Sequence, residues 1–221
     1  MPYSVKVDSN SRRQAVIFDF DGTIADSFEY VFDFLREEAG NSTDYSSKEL
    51  REYRKMSMRQ MALRLGVPVW RLPYTYFKGR RVMRAHMEQV QPFDGMISVI
   101  LQLHKEGYLL FIASSNSGRN IRQLLRRQGI LSCFRSIQSG AGVTGKSAMI
   151  RQIIIRFRLR RDTTWYVGDE VGDVLASDRA GVHGLPVSWG FADPDRLEAM
   201  RPSGVAQKPD DILRMVRTWK K

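Results

Sequence analysis

The sequence predicts an α/β protein with a parallel, doubly wound sheet and a small helical insertion after the first strand. Short apolar strands alternate with amphipathic helices along most of the 221 residues. Several of these strands run directly into glycines and small polar residues. Residues 48–87, in contrast, have helical character throughout and no strand-like alternation. This stretch is therefore predicted to lie outside the sheet.

The first strand is the apolar run Ala15–Phe18, which ends at two carboxylates. Asp19 and Asp21 follow it, and Gly22 and Thr23 complete the turn. This pattern is typical of a buried parallel strand, and the ligand crevice of an open α/β sheet lies beyond such strand ends. Two carboxylates so close repel each other unless a cation is present, so the pair predicts a divalent metal site. The alternative is an ordinary turn rich in Asp and Gly.

A helical domain is predicted between the first strand and the rest of the sheet. An amphipathic helix covers Phe28–Ala39, and basic helices follow a polar connector. Pro92 marks the return to the alternating pattern. We therefore expect a core domain formed by residues 1–26 and 92–221, and an inserted helical domain formed by residues 27–91.

The remainder of the chain alternates between helices and strands, and glycines end several of the helices. The stretch between the last strand and the last helix is predicted to be irregular. The predicted elements are, in order, a helix at Met96–Lys105, a strand at Tyr108–Ala113, a helix at Asn120–Gln128, a strand at Phe134–Gln138, a helix from Lys146, a strand at Thr164–Val167, a helix at Val174–Ala180, a strand at Leu185–Val187 and a helix at Pro209–Trp219.

The chain is strongly basic, with 35 Lys and Arg against 24 Asp and Glu and a net charge of +11. This balance favours anionic partners, which include nucleic acids, acidic membranes and phosphorylated small molecules. The cations are dispersed over amphipathic helical patterns, without zinc-ligand spacing or an aromatic-interleaved RNA signature. We therefore expect a phosphorylated metabolite, and no nucleic acid, as the main partner. The sequence does not explain why the charge is so high.

Cysteine usage and hydropathy predict a cytoplasmic protein with no membrane partner. The single cysteine, Cys133, cannot form an internal disulfide and fits a reducing compartment. No apolar run approaches the length of a membrane span, and the first fifteen residues carry no apolar signal region. The sequence does not indicate an oligomeric state.

Chemically specific residues stand at the ends of four predicted strands. Because the carboxyl ends of parallel strands share one edge of a sheet, we expect these residues to meet. Three acids with water suit Mg²⁺, and a hydroxyl and an ammonium beside them suit a phosphoryl group. The residues are Asp19 and Asp21 after the first strand, Ser114, Ser115 and Asn116 after the second, Lys146 after the third, and Asp169, Glu170 and Asp173 after the fourth.

These motifs resemble those of the haloacid dehalogenase-like superfamily. The resemblance is carried by DFDGT at Asp19–Thr23, the hydroxyl residue Ser114, the lysine in Gly145–Ser147 and the GDEVGD run at Gly168–Asp173. The motifs occur in the superfamily's order between about residues 14 and 190. The helical insertion resembles its type-one cap, as in phosphoglycolate phosphatase-like members, and the core would be Rossmann-like.

The resemblance implies a Mg²⁺-dependent phosphatase that hydrolyses a small phosphorylated metabolite through an aspartyl-phosphate. Asp19 would be the nucleophile and a metal ligand, and Asp169 a direct metal ligand. Asp21 would be the general acid and base, with its backbone carbonyl on the metal. Aspartate at this second position separates the chain from the dehalogenases, which need no general acid there.

The resemblance also implies roles around this centre. Ser114, Ser115 and Lys146 would bind the phosphoryl oxygens. Glu170 and Asp173 would be outer or alternative metal ligands. Because four cations cluster in the cap, we also expect one of them to meet an anionic leaving group, and these cations are Arg51, Arg54, Lys55 and Arg59.

Three alternatives remain open at this point. A phosphomutase of the same architecture would share every core motif and transfer phosphate to a sugar. The segment Gly140–Ser147, GAGVTGKS, is a full P-loop match and would indicate a nucleotide-binding protein. That interpretation leaves the pair Asp19 and Asp21 unexplained. A polyanion-binding protein without enzymatic activity would explain the net charge.

Overall fold

The computed structural model describes residues 14–140 and 145–218, and its centre is a five-stranded parallel sheet. The fold class predicted from the sequence is confirmed. The strands lie in the order β5–β4–β1–β6–β7. Their bounds are β1 Ala15–Phe18, β4 Leu109–Ser114, β5 Phe134–Ser139, β6 Thr164–Gly168 and β7 His183–Pro186.

Strand β1 is central because each of its side chains is apolar and fully buried. Val16 and Phe18 face one core layer, and Ala15 and Ile17 face the other. Phe18 pairs in register with Ile112 of β4 and with Val167 of β6. The three central strands therefore end at the same level, which brings the residues that follow them to one edge.

Helices cover both faces of this sheet. One face packs against α5 (Met96–Lys105), α6 (Gly118–Arg127) and α10 (Pro209–Thr218), and the opposite face against α7 (Gly145–Phe157) and α8 (Val171–Ala180). The short α9 (Pro194–Ala199) lies beside α8. No helix within the described ranges is long and apolar enough to cross a membrane.

The insertion is a group of four helices between two very short strands. Strands β2 (Ala25–Asp26) and β3 (Gln91–Pro92) pair antiparallel at its base. Capping boxes begin the second and third helices, Ser46 with Glu49 and Ser57 with Gln60. The helices are α1 Phe28–Glu38, α2 Ser47–Arg54, α3 Met58–Leu65 and α4 Leu72–His86.

Most predicted elements are confirmed, and the differences have local causes. Strands β2 and β3 were not predicted, because two residues carry no periodicity. Helix α8 begins at Val171 rather than Val174, since the side chains of Glu170 and Asp173 form a reciprocal cap. Helix α9 lies in the stretch predicted to be irregular, where Asp193 caps its first turn. The predicted end of the last helix, residue 219, lies outside the described residues.

Candidate active site

The turn after β1 holds Asp19 where the sheet ends. Its backbone amide donates to Val167 of β6 at 2.8 Å, so the residue is fixed by the ladder that positions β1. Carboxylate oxygen Oδ1 accepts the Phe20 amide at 2.7 Å, and the residue is only 4% exposed. The other oxygen, Oδ2, is therefore the one available to other groups.

Lys146, in the first turn of α7, joins two strand ends through its ammonium. Its Nζ lies 2.6 Å from Asp19 Oδ2 and 2.6 Å from Asp173 Oδ1. Burial works against the charge of Lys146, but the carboxylates of Asp173 and Asp19 raise its pKa well above the usual value. The lysine is thus a permanent cation at the sheet edge.

Asp169 follows β6 and is fully buried. It accepts the Thr23 hydroxyl at 2.9 Å and the Phe191 amide at 2.8 Å. Gly22, at φ +74°, makes room for it, because a Cβ there would lie 2.2 Å from Asp169 Oδ2. In the DFDGT motif, the glycine thus makes room for the carboxylate that follows β6, and the threonine donates a hydrogen bond to it.

Asp173 stands in the first turn of α8, where its position is fixed by three donors. Its carboxylate accepts from the Lys146 ammonium, the Tyr166 hydroxyl at 3.1 Å and the Glu170 amide at 3.0 Å. The sequence reasoning did not identify Tyr166, which is buried in β6 among apolar neighbours. The arrangement makes Asp173 an orienting partner of Lys146.

Asp21 is held apart from the other carboxylates. The Ser27 hydroxyl donates to its Oδ1 at 2.9 Å. The side-chain amide of Asn116 donates to Oδ1 at 3.0 Å and to Oδ2 at 2.8 Å. Asn120 in turn donates to Asn116 at 3.0 Å. The sequence reasoning placed Asn116 only behind Ser114. Asn116 precedes the N-cap of α6, so no helical spacing in the sequence indicated this coupling.

The two serines after β4 differ in position. Ser114 is 1% exposed, and its hydroxyl oxygen accepts a hydrogen bond from the backbone amide of Asn116 at 3.2 Å. Ser115 is half-buried and lines the cavity described below, whereas Ser114 does not. The roles of Ser114 and Ser115 in phosphate binding both stay predictions.

The buried carboxylates suit a divalent cation. Oxygens of Asp19, Asp169 and Asp173 lie within 4.8 Å of one another. Burial raises the pKa of Asp19 and of Asp169, and the neighbouring charge of Asp173 raises both further. A hard cation with oxygen ligands would offset this unfavourable charge, so the donor set fits Mg²⁺. The side chain of Asp21 is not a member of the set.

Two further acids have perturbed pKa values. Burial, reinforced by the charge of Asp19, raises the pKa of Asp21 to about 6. Burial also raises the pKa of Glu170, against the opposing effects of Lys146 and of a hydrogen bond from the Met58 amide. That hydrogen bond connects the cap to the acidic loop after β6. The Tyr76 hydroxyl connects the cap to the loop after β4, because it donates to the Ser115 carbonyl at 2.7 Å.

A cavity of about 1170 Å³ separates the helical insertion from the sheet edge. Its floor includes Asp19, Asp21, Ser115, Lys146 and Glu170. Apolar residues of α1, α3 and α4 form much of the opposite wall. A concave site with convergent polar groups and perturbed pKa values is typical of an active site.

The predicted cap cations divide into two groups. Lys55 and Arg59 line the cavity. Arg51 is exposed, and Arg54 instead pairs with Asp26 at 3.4 Å, its guanidinium over the Phe28 ring. These two do not lie among the lining residues, because their helix, α2, turns them toward solvent or toward α1. Arg80 of α4, which was not predicted, also lines the cavity.

The P-loop match at Gly140–Ser147 can be followed only in part, because residues 141–144 lie outside the described residues. Its lysine, Lys146, is engaged with Asp19 and Asp173. The nucleotide-binding interpretation assigns neither carboxylate a role. The geometry therefore favours the interpretation in which lysine and acids form one site.

Comparisons with known proteins cover most of the chain. The family model for haloacid dehalogenase-like hydrolases matches residues 16–187. A phosphoglycolate phosphatase of Synechococcus elongatus is 33% identical over 206 residues, which cover 92% of this chain and 97% of the relative. A pyrophosphatase of Oceanobacillus iheyensis is 21% identical over 92% of this chain and 96% of its own.

A solved structure shares the fold. A haloacid dehalogenase-like hydrolase of Streptococcus pneumoniae superposes with a TM-score of 0.76 at 21% identity, over 92% of this chain and 98% of the other. At this identity the superposition shows the fold alone.

The raised pKa of Asp21 predicts a specific pH dependence of stability. The folded carboxyl has a pKa of about 6 against an ordinary value of 3.8, so the folded state binds more protons between these values. Without metal, the free energy of unfolding should therefore fall as pH rises from about 4 to about 6. Asp21→Asn should remove about 1–3 kcal/mol of this decline.

The measurement is urea unfolding at several pH values in EDTA. Asp44→Asn, at an exposed position of the cap, is the matched control and should keep the wild-type profile. Parallel profiles of Asp21→Asn and the wild type would contradict the prediction.

Proposed function

The chain belongs to the haloacid dehalogenase-like hydrolase family, and on this premise we propose that it hydrolyses a small phosphorylated metabolite with Mg²⁺ and an aspartyl-phosphate intermediate. It is a phosphatase of this family, similar over most of its length to a phosphoglycolate phosphatase. The observation that carries the proposal is the ion pairing of Lys146 with both Asp19 and Asp173, beside the buried Asp169.

In the first step, a carboxylate oxygen of Asp19 attacks phosphorus. The bond to the leaving oxygen breaks as Asp21 gives that oxygen its proton. A pKa of about 6 supports this role, since it leaves a proton available near neutral pH. In the second step, Asp21 takes a proton from the attacking water, and inorganic phosphate leaves Asp19.

Ser114, Ser115 and Lys146 bind the phosphoryl oxygens in this proposal. Ser114 ends β4, Ser115 lines the cavity, and the ammonium of Lys146 lies against Asp19. Lys146 also lowers the repulsion between the nucleophile and the anionic phosphoryl group. Asp173 and Tyr166 hold the ammonium in place for this task.

Asp19, Asp169 and the backbone carbonyl of Asp21 would hold the metal, with Glu170 and Asp173 as outer or alternative ligands. When bound, Mg²⁺ would supply positive charge that stabilises the phosphoryl oxygens in the transition state. Thr23 and the Phe191 amide orient Asp169 for this purpose.

We propose a division into a core formed by residues 1–26 and 92–221 and a cap formed by residues 27–91. The ribbon of β2 and β3 at the junction supports it. Closure of the cap would exclude bulk water from the phosphoryl group. A phosphomutase would have the same machinery, and it is distinguished by phosphate transfer to a sugar. The cytoplasmic location and a polyanion-binding role stay predictions.

Asp19→Asn should lower the rate of hydrolysis of p-nitrophenyl phosphate by at least about a thousandfold, because the amide cannot replace the nucleophile. Circular dichroism should show an unchanged fold. Asp26→Asn, at the cap junction, is the control and should retain activity. Turnover by Asp19→Asn close to the wild-type rate would refute the nucleophile assignment.

Removal of the metal should abolish activity reversibly. EDTA should stop hydrolysis of the same substrate, and excess Mg²⁺ should restore it, because the buried carboxylates otherwise repel the phosphoryl group. Zn²⁺ and Ca²⁺, added separately, test the choice of ion. Full activity after exhaustive dialysis against EDTA would exclude the metal from the mechanism.

Lys55 and Arg59 are expected to favour an anionic leaving group. Lys55→Met and Arg59→Met should each raise KM for phosphoglycolate, relative to KM for ethyl phosphate, by about threefold to fivefold, the range of an exposed ion pair. Arg51→Met, an exposed cap position away from the cavity, is the matched control. If the ratio of the two KM values is the same in the wild type and in all three variants, Lys55 and Arg59 do not contact the leaving group.

A further inference from the structure

Two asparagines, which we call the amide relay, connect the cap to the carboxyl group of Asp21. Asn120, in the first turn of α6, donates from Nδ2 to the backbone carbonyl of Arg80 at 3.1 Å and to Oδ1 of Asn116 at 3.0 Å. The side-chain amide of Asn116 then donates to both carboxylate oxygens of Asp21. Continuous hydrogen bonding therefore runs from cap helix α4 to the carboxyl group that exchanges the proton in the proposed reaction.

The orientation of Asn116 in this relay is fixed by the groups around its oxygen. Oδ1 accepts hydrogen bonds from the backbone amide of Ser117 at 2.6 Å and from the side chain of Asn120. A reversed amide would place its oxygen against the carboxylate of Asp21 and its two N–H groups against these donors. Asn120 therefore supplies one of the two contacts that turn the NH2 group of Asn116 toward Asp21.

Asn120 is the polar exception among the buried residues of α6. The residue is fully buried, and its own Oδ1 has no hydrogen-bond partner among the residues that the structure describes. The other buried side chains of this helix, Ile121, Leu124 and Leu125, are apolar. An unpartnered buried oxygen is unfavourable, so the polar side chain contributes through the two hydrogen bonds of its Nδ2.

Helix α4 contacts the same segment of the core at a second point. Tyr76 lies one turn before Arg80, and its hydroxyl donates to the backbone carbonyl of Ser115 at 2.7 Å. These two contacts dock one side of α4 on residues 115–120. Release of the helix would leave Asn120 without its cap partner. The relay is therefore complete only while α4 lies against this segment.

We propose that Asn120 is a positioning residue: it holds Asn116, and through it the carboxyl group of Asp21, in the orientation that protonates the leaving oxygen while α4 is docked. The inference rests on the proposed phosphatase function and adds to it a link between the cap and proton transfer. Asn120 itself forms no bond to the substrate. The proton passes from Asp21 to the leaving oxygen as the bond of that oxygen to phosphorus breaks.

Substrates with different leaving groups separate this role from a merely structural one. Ethoxide needs a proton as it leaves, whereas p-nitrophenolate is a stable anion near neutral pH and depends little on a general acid. Asn120→Ala should lower kcat/KM for ethyl phosphate by at least about tenfold, and kcat/KM for p-nitrophenyl phosphate by less than about twofold. Equal losses for both substrates, or no loss for either, in a folded protein would overturn the proposal.

Two leucine variants of α6 control for packing, and circular dichroism checks the fold of each. Asn120→Leu retains bulk at the buried position and removes the donors, so it should change the ratio of the two kcat/KM values as Asn120→Ala does. Gln123→Leu removes a half-buried amide one turn later in the same helix and should keep the wild-type ratio. An equal change of the ratio in Gln123→Leu would assign the effect to the packing of α6 and overturn the proposal.

A double-mutant cycle tests whether Asn120 acts through Asn116. Asn116→Ala removes the contact with Asp21, so it should lower the ratio of kcat/KM for ethyl phosphate to that for p-nitrophenyl phosphate at least as far as Asn120→Ala does. The protein with both substitutions should then match Asn116→Ala within about twofold. Losses that multiply in the double variant would indicate independent roles and overturn the relay.

The side-chain amide resonances of Asn116 test the relay without turnover. Proton–nitrogen correlation spectra identify them by their loss in Asn116→Ala. They should shift in Asn120→Ala, and also in Tyr76→Phe, which lacks the second contact of α4. Gln123→Leu should leave them in place. Unshifted resonances in Tyr76→Phe would overturn the link to the cap.

The same spectra separate failure of the inference from failure of the proposed function. Resonances of Asn116 that shift in Asn120→Ala, in a protein whose wild type hydrolyses neither phosphate, would retain the relay and refute the phosphatase proposal. Unshifted resonances, together with hydrolysis of both phosphates by the wild type, would retain the phosphatase and overturn the relay.

Discussion

The contact between one ammonium and two carboxylates organises this molecule. Lys146 pairs with Asp19 from β1 and with Asp173 from the first turn of α8, so one side chain joins three segments of the chain. The interaction is buried, where an unpaired charge would be costly. It therefore requires the strand ends to be level, as the in-register pairing of β4, β1 and β6 achieves.

Close packing around the buried carboxylate of Asp169 explains the glycines at the site. Gly22 and Gly190 both approach the carboxylate of Asp169, and a Cβ at either position would lie within 2.5 Å of it. Thr23 and the Phe191 amide then satisfy its oxygens. The carboxylate of Asp169 is therefore fixed in one orientation by its neighbours.

The cap and the core have different tasks. The sheet edge carries acids, an ammonium and hydroxyls, whereas the cap carries a largely apolar wall of the cavity and dispersed cations. A relative named as a phosphoglycolate phosphatase and another named as a pyrophosphatase align with nearly the whole chain. Related chains with different named substrates are compatible with selectivity that resides in the cap.

The sequence alone determined the fold class, the order of the sheet's strands along the chain, and the residues that meet at its edge. Short-range patterns were sufficient, because an apolar strand, its polar terminus and the next helix are each local features. Asp19, Lys146 and Asp169 could be grouped because parallel strands end on one side. The short strands β2 and β3 carried too little pattern to be found.

Only the tertiary structure decided which polar side chains face the cavity. It separated Lys55, which lines the cavity, from Arg54, which pairs with Asp26, since neighbours in sequence point in different directions at the end of a helix. The tertiary structure also showed the partners of Asp21. These features depend on contacts between segments distant in the chain, which local periodicity does not encode.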